Sequence, residues 1–574
     1  MKTNTVVYFL LLLLVVSYIV VAKIDTGDPV DMAELVPAEA LFYIEQRAPF
    51  AALRSYDRSM LGKKVSSIDI EGVIAKTGGA ASDGRFLVAA KKMYQKALTS
   101  DLAELLAGRK LGFAMIPPTG KIVESTLEDF VKNNTLFLSW PRQNAGFIEF
   151  AGKIYGQAND SLPITVSQYG NHHIQRFDLQ GEQLAFVSAG GTFVASFNER
   201  LLRRSIDCYD KDRLSLRKLE TFNLVKRAVR RKGDRFVYLS VDSLRCWLER
   251  VTDSHEFSWK PVVTKELETT RGFLSVGYGV KSSGHVVSDM LAVHYDINQV
   301  NDITRNHLQK APGKNSLSSF TTRQTAAYYW SNTVDFYYLL PYLTGGKNSS
   351  FQTRTIVSRI EKRSGVALDQ MFSYLGNEAV VVVEPGNSDD FITIPLCTLV
   401  LDMKEPQKLT SAVKKMVSAT GIPVIERRYG PLQYMVWRDA PQNGLQLLCG
   451  FWGNRLILGN SVGYLKRIID HQQGGKTIPQ MAMQNGIDPG TRKASNSITY
   501  YDNVKIMSMT QRLLSIMAAF VGIEDRELST KVKVVIDDVV NPLLEGGKMY
   551  RKSSSRSYFT PHLVMIESKK TKRQ

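Results

Sequence analysis

The sequence predicts an α+β protein: two tandem copies of one unit with mostly antiparallel sheets plus helices, preceded by one N-terminal transmembrane or signal helix. Three observations predict it. The chain of 574 residues begins with a long uncharged apolar run. Several sequence blocks recur in the same order at offsets of about 260–286 residues. Strand-like runs separated by hairpin-length gaps outnumber those separated by helix-length gaps.

The N-terminal element comes first. Residues 6–22 are 17 positions without a charge, preceded by Lys2 and followed by Asp25, Asp28 and Asp31. That length is at the lower limit for a bilayer span and exceeds most signal-peptide cores. The flanking charges predict a cytoplasmic start at 1–5 and an exported body. Val20 and Ala22 also fit a signal-peptidase site, so two alternatives stand: an uncleaved anchor and a cleaved signal. Residues 23–38 read as a linker. No comparable uncharged run follows, so the body is expected to be soluble once released.

The repeat is read from four blocks. Residues 193–207 match 456–470, with Leu202 over Leu465, Arg204 over Arg467, Ile206 over Ile469 and Asp207 over Asp470. Residues 164–177 match 424–437, with Tyr169-Gly170 over Tyr429-Gly430. Residues 136–154 parallel 399–416, and 40–53 parallel 326–339, which sets Tyr43 over Tyr329 and Phe50 over Phe336. The predicted units are 39–298 and 325–568. A polar linker at 299–324, broken by Pro312 and Gly313, joins them, and 569–574 is a basic tail.

Within each unit the pattern gives a strand and helix, then a long amphipathic helix at about 84–107 or 353–374. A strand, another strand and a helix follow. Antiparallel strands come next, split by the Tyr-Gly turn and by a turn near Gly181 or Asn443. A closing helix is then expected, followed by a hairpin around Lys-Ser-Ser at 281–283 or 552–554.

The segment 455–470 contains Gly459-Asn460-Ser461-Val462-Gly463, the spacing of a nucleophile elbow. The repeat argues against catalysis. Ser461 corresponds to Asn198, Gly459 to Ser196 and Gly463 to Arg200. Ser and Asn share the ability to cap a helix N-terminus, so both are expected as caps. Downstream of Ser461 the histidines are His471, on the same predicted helix, and His562. His172 and His173 are adjacent on a predicted strand and point to opposite faces, which disfavours chelation of one metal. Phosphate-loop, dinucleotide and zinc-protease motifs are absent, so no catalytic residue, cofactor or metal is assigned. Cys208, Cys246, Cys397 and Cys449 are too few and too dispersed for a disulfide framework. Buried free thiols and one or two disulfides both remain open.

The formal charge of +18 favours anionic partners. It is densest at 200–235, with thirteen Lys or Arg against five acids. There Phe222, Val225 and Val229 share a helical face, and Arg227, Arg230, Arg231 and Lys232 load the last turn. These four form a candidate anionic-surface patch for lipid or glycan; a plain surface helix with a basic end is the alternative.

The phrase Val36-Pro37-Ala38-Glu39-Ala40 with its aromatic strand follows an export segment, and Leu375-Gly376 later leads an apolar strand. This resembles a family of exported bacterial proteins of unknown function with a Leu-Pro-Ala-Asp-like opening and duplicated long α+β units. Val36 replaces the usual leucine and Glu39 the usual aspartate. The resemblance implies no catalytic residue. The expected protein is a membrane-anchored binding or scaffolding protein of the bacterial envelope, single-pass in the inner membrane with its body in the periplasm. If the signal is cleaved, the body is free in the periplasm. Its partners are the membrane through 6–22, anionic lipid or glycan, or other envelope proteins, and not nucleic acid. The alternative is an envelope hydrolase whose site is assembled from distant residues.

Overall fold

The computed structural model describes residues 30–573, except 119–126, 142–163, 180–181, 212, 230–232, 255–259, 337–350, 387–393, 438–445 and 473; within 80–107 it describes only 88, 91, 95 and 104. The apolar run 6–22, the helix expected at 84–107 and the turns at Gly181 and Asn443 lie outside the described residues, apart from those four positions.

Packing divides the chain into two compact units. Of the described residues, those within 1–56, 89–281 and 290–300 form one, and those within 57–88, 282–289 and 301–574 form the other. The strands of the first are β1 Phe42–Arg47, β2 Lys110–Met115, β3 Thr135–Trp140, β4 Ile164–Tyr169, β5 His172–Leu179, β6 Glu182–Ala189, β7 Thr192–Ser196, β8 Arg235–Ser240, β9 Phe273–Ser283 and β10 Val286–Tyr295. The tip of the β9–β10 hairpin groups with the second unit. The other strands lie side by side in the order β9-β8-β1-β2-β3-β7-β6-β5-β4, and each pairing is antiparallel.

The second unit carries β11 Ala327–Ser331, β12 Leu375–Glu384, β13 Leu396–Met403, β14 Val424–Tyr429, β15 Leu432–Trp437, β16 Leu448–Trp452, β17 Arg455–Gly459, β18 Ser497–Asp502, β19 Tyr550–Phe559 and β20 Leu563–Lys572. Their order is β20-β19-β18-β11-β12-β13-β17-β16-β15-β14, again antiparallel throughout. This is the α+β class with mostly antiparallel sheet that the hairpin-length gaps predict.

The cores follow from strand alternation. In β1, Tyr43 and Glu45 are buried while Phe42 and Ile44 are half-buried. Tyr43 meets Phe222 edge-on with ring centres 6.0 Å apart, and Phe222 meets Tyr238 at 5.0 Å. In the second unit Tyr328, Trp330, Tyr500 and Ile457 pack with Tyr464, Leu465 and Ile468 of the helix Val462–Gln472. Burying each such aliphatic side chain stabilises by about 1.5–3 kcal/mol. Leu317 and Phe320, from the stretch read as a linker, belong to this core.

Four expectations need correction. Tyr43 is buried, whereas Tyr329 is 44% exposed and Tyr328 takes the core position. A shift of one residue along a strand exchanges its faces, so the expected match of Tyr43 with Tyr329 sets a core position against an outward one. The helix expected at 353–374 is two helices, Phe351–Ser364 and Leu368–Ser373, broken where Gly365 adopts a positive φ of 67°. Lys552, Ser553 and Ser554 lie inside β19, and that hairpin turns instead at residues 560–562. Finally, the body does contain a helix long and apolar enough to cross a membrane, Asn503–Val521. Its Lys505 and Arg512 break the uncharged run, which is why a search for charge-free segments passes over it.

Candidate functional site

The residues singled out by sequence do not converge. Ser461 accepts the Tyr464 N–H at 3.3 Å, and Asn198 accepts the Arg200 N–H at 3.1 Å. Both are therefore helix caps, the role expected of them from residue type. His172 sits 3.0 Å from Asp210 and 3.1 Å from the Ser188 carbonyl. Among the described residues no group of three or more His, Cys, Asp or Glu is placed to hold a metal. All four cysteines are free thiols, with Cys208 and Cys449 buried and Cys246 and Cys397 exposed. Burial pushes Cys208 up to about 11 and Cys449 up to about 12, which keeps both protonated and unreactive at neutral pH. Of the basic patch, Arg227 is exposed on the helix Glu220–Val229; Arg230, Arg231 and Lys232 lie outside the described residues.

The neighbour of Arg227 behaves differently. Lys226 is buried, with its ammonium 2.9 Å from Asp31 and 3.8 Å from Glu45. It also lies 5.0 Å from the centre of the Phe222 ring, within cation–π range. Lys110, on β2, pairs with Glu45 on β1 and sits 4.5 Å from the centre of the Trp140 ring on β3. Two acids and two lysines thus form a quartet in which Glu45, Lys110 and Lys226 are buried and Asp31 is half-buried, with Arg217 3.6 Å from Asp31 at its rim. Burial raises the Glu45 carboxyl, but Lys226 and Lys110 outweigh it and hold the group below its usual range. Burial likewise raises Asp31, Lys226 counters it, and the net shift is downward. Both carboxylates stay ionised and engaged by ammonium groups, which makes them poor proton acceptors. What the quartet does is fasten Asp31, near the start of the described chain, to β1, β2 and the helix Glu220–Val229.

Sequence reasoning missed this quartet, although a signal existed. Glu45 shares a strand face with Tyr43, and Lys226 shares a helix face with Phe222 and Val229. A charge on an otherwise apolar face is the mark of a buried ion pair.

The second unit places a different cluster across β11, β12, β13 and β17. Trp330 donates its indole N–H to Glu378 at 2.6 Å. Arg455 pairs with Asp402, which lies opposite it in register, and comes within 3.9 Å of Glu378. Burial raises the Asp402 carboxyl above its usual range, and Glu378 adds to the effect against Arg455. At the far end of β12, burial also raises Glu384, which is held by Arg467 at 2.7 Å.

Each unit further ties a hairpin to the following helix. Tyr169 donates to Asp207 at 3.0 Å while Arg203 lies 5.0 Å over its ring. Tyr429 donates to Asp470 at 2.9 Å while Lys466 lies 4.9 Å over its ring.

No family model matches the chain, and no curated protein matches it. Among solved structures, the one described as the structure of crystal form III of TP0453 is similar to it at 11% identity and a TM-score of 0.22, over 49% of this chain and 85% of that one.

Proposed function

We propose that this chain is a membrane-anchored, exported binding or scaffolding protein of the bacterial envelope, and that its body is a tandem duplication of one unit. The observation that carries the proposal is the recurring Tyr–Asp–cation tie. It joins the same turn to the same helix in both units, with Arg203 and Lys466 both 263 residues apart like Asp207 and Asp470. The matching strand orders support the same reading. The features that recur are packing devices, namely caps, ties and turns. The inner charged groups that differ between units are paired locally, Lys110 and Lys226 with Glu45 and Asp31, and Arg455 with Asp402. That is the pattern expected of a body that presents surfaces to partners. Anchorage rests on residues 6–22, whose uncharged length favours insertion.

The test is topological. Protease added to intact spheroplasts should degrade the body, and carbonate-washed membranes should retain the intact chain. Complete protection of the body would place it in the cytoplasm and end the proposal. Gentle detergent extraction followed by identification of copurifying molecules should return envelope lipids, glycans or proteins.

A further inference from the structure

Over 503–521 the helix Asn503–Glu524 is half-buried up to Gln511 and opens beyond it, with Arg512, Ser515, Met517, Ala519 and Phe520 exposed and Ala518 the one buried residue. Lys505, Met509, Arg512, Ile516 and Phe520 follow one another at spacings of four, three, four and four residues, which puts them on one face. The first part of this face, with Ser508, lines a groove of about 230 Å³ opposite Pro385, Gly386 and Pro395. Lys505 Nζ donates to the Gln324 carbonyl at 2.9 Å. Arg512 is exposed and makes no ion pair among the described residues.

The second part is open and apolar. Phe520 is 57% exposed, Met517 on the flank of this face is 61% exposed, and Leu528 on the next helix, Arg526–Val535, is 50% exposed. Arg512 and Phe520 are about 12 Å apart along the axis. The exposed part of the helix therefore offers the cation Arg512 at one end and apolar anchors at the other. That is the composition of a helix lying in a bilayer interface, where cationic side chains reach phosphates and apolar ones enter the acyl boundary.

We infer that this face of the second unit docks flat on an anionic phospholipid bilayer. Charge selects the occupant. Arg512 is exposed about two turns from Phe520, and residues 503–535 carry five Lys or Arg against the three acids Glu524, Asp525 and Glu527, so an anionic surface is favoured over a neutral one. The inference rests on the anchored reading only in that an anchor brings a bilayer within reach.

The test is hydrogen exchange on the full-length chain mixed with vesicles of phosphatidylglycerol and phosphatidylcholine, with vesicles of phosphatidylcholine alone, and with inorganic phosphate alone. Amides of 512–535 should exchange more slowly on the anionic vesicles only. Arg512→Gln should reduce that slowing by about fivefold at low salt. Met517→Ser with Phe520→Ser, both at exposed positions, should abolish it. Equal exchange on the two vesicle types overturns the inference, and so does protection by inorganic phosphate alone. A chain that resists carbonate but shows no slowing keeps the anchor and loses this inference. A chain released by carbonate that still shows slowing on anionic vesicles does the reverse.

Discussion

Lys110 stands two residues before Gly112, the β2 partner of Glu45; Glu378 stands two residues before Val380, the β12 partner of Trp330. The two sites thus occupy the same diagonal across a pair of strands, yet their charges are opposite in sign. The first unit closes its site with a second acid and a second lysine; Glu45, Lys110 and Lys226 are nearly shut off from water, and only Asp31 at the rim is 21% exposed. The second uses an indole N–H and an arginine pair that keep contact with solvent, with Arg455 and Asp402 16% and 24% exposed. The difference teaches that the sheet geometry tolerates either solution. It requires only that a polar group placed on the inner face be matched locally. Stability should therefore depend on these sites very unequally.

The largest expected difference follows from that. Lys110→Met leaves Glu45 buried with one ammonium instead of two and should cost about 3–5 kcal/mol. Arg455→Met should cost about 1–3 kcal/mol, because Asp402 retains access to water. Hydrogen exchange read separately in each unit measures both, since two units need not unfold as one. Equal costs would break the comparison.

The Tyr–Asp ties come next. Asp207 is buried and Asp470 is exposed. Tyr169→Phe should cost about 1.5–3 kcal/mol, as for a hydrogen bond to a buried charge, and Tyr429→Phe about 0.5–1.5 kcal/mol. Denaturant titration with a probe in each unit would detect a reversal of this order. The caps should be equivalent: Asn198→Ala and Ser461→Ala should each cost about 0.5–2 kcal/mol. Ser461 should also resist a fluorophosphonate probe, and rapid labelling there would contradict its role as a cap.

The smallest expected effect is a divergence with pH. Asp31 and Glu45 have carboxyl pKa values lowered by folding, so their stabilisation is present above the unfolded pKa and is lost as pH falls through the folded values. Asp402 and Glu384 have values raised by folding. In the interval between unfolded and folded pKa the native state binds more protons, so stability around β12 and β13 rises as pH falls through it. Acidification should speed exchange at β1 and β2 while slowing it at β12 and β13. Parallel behaviour would show that other groups dominate.

Much of the architecture was legible because it depends on short-range patterns. The Tyr-Gly turns at 169–170 and 429–430 are where the sequence puts them, with Gly170 and Gly430 at positive φ. The caps at Asn198 and Ser461 were readable from residue type and position alone. What could not be read depends on faces and on distant partners. Tyr328 and Tyr329 are adjacent and alike, and only pairing with β12 and β18 decides which enters the core. Lys226 reads as one more cation in a basic run until Asp31, 195 residues away, is placed beside it. Asn503–Val521 escapes notice because a linear search stops at Lys505 and Arg512, whereas a helix can turn those side chains along its surface.

The fastening of Asp31 has a mechanical consequence. Val30 donates its N–H to the Gly190 carbonyl at 3.0 Å, and Asp31 is gripped by Lys226 one residue later. A pull applied through residues 1–29 would meet these bonds before it reached β1. They bridge to the turn between β6 and β7 and to the helix Glu220–Val229, so the load would be divided between two elements and would not peel a single strand from its neighbours. Asp31→Asn would weaken this strain relief and should lower the force at which the first unit opens when the chain is stretched from its N-terminal end, while leaving the force needed from the C-terminal end unchanged.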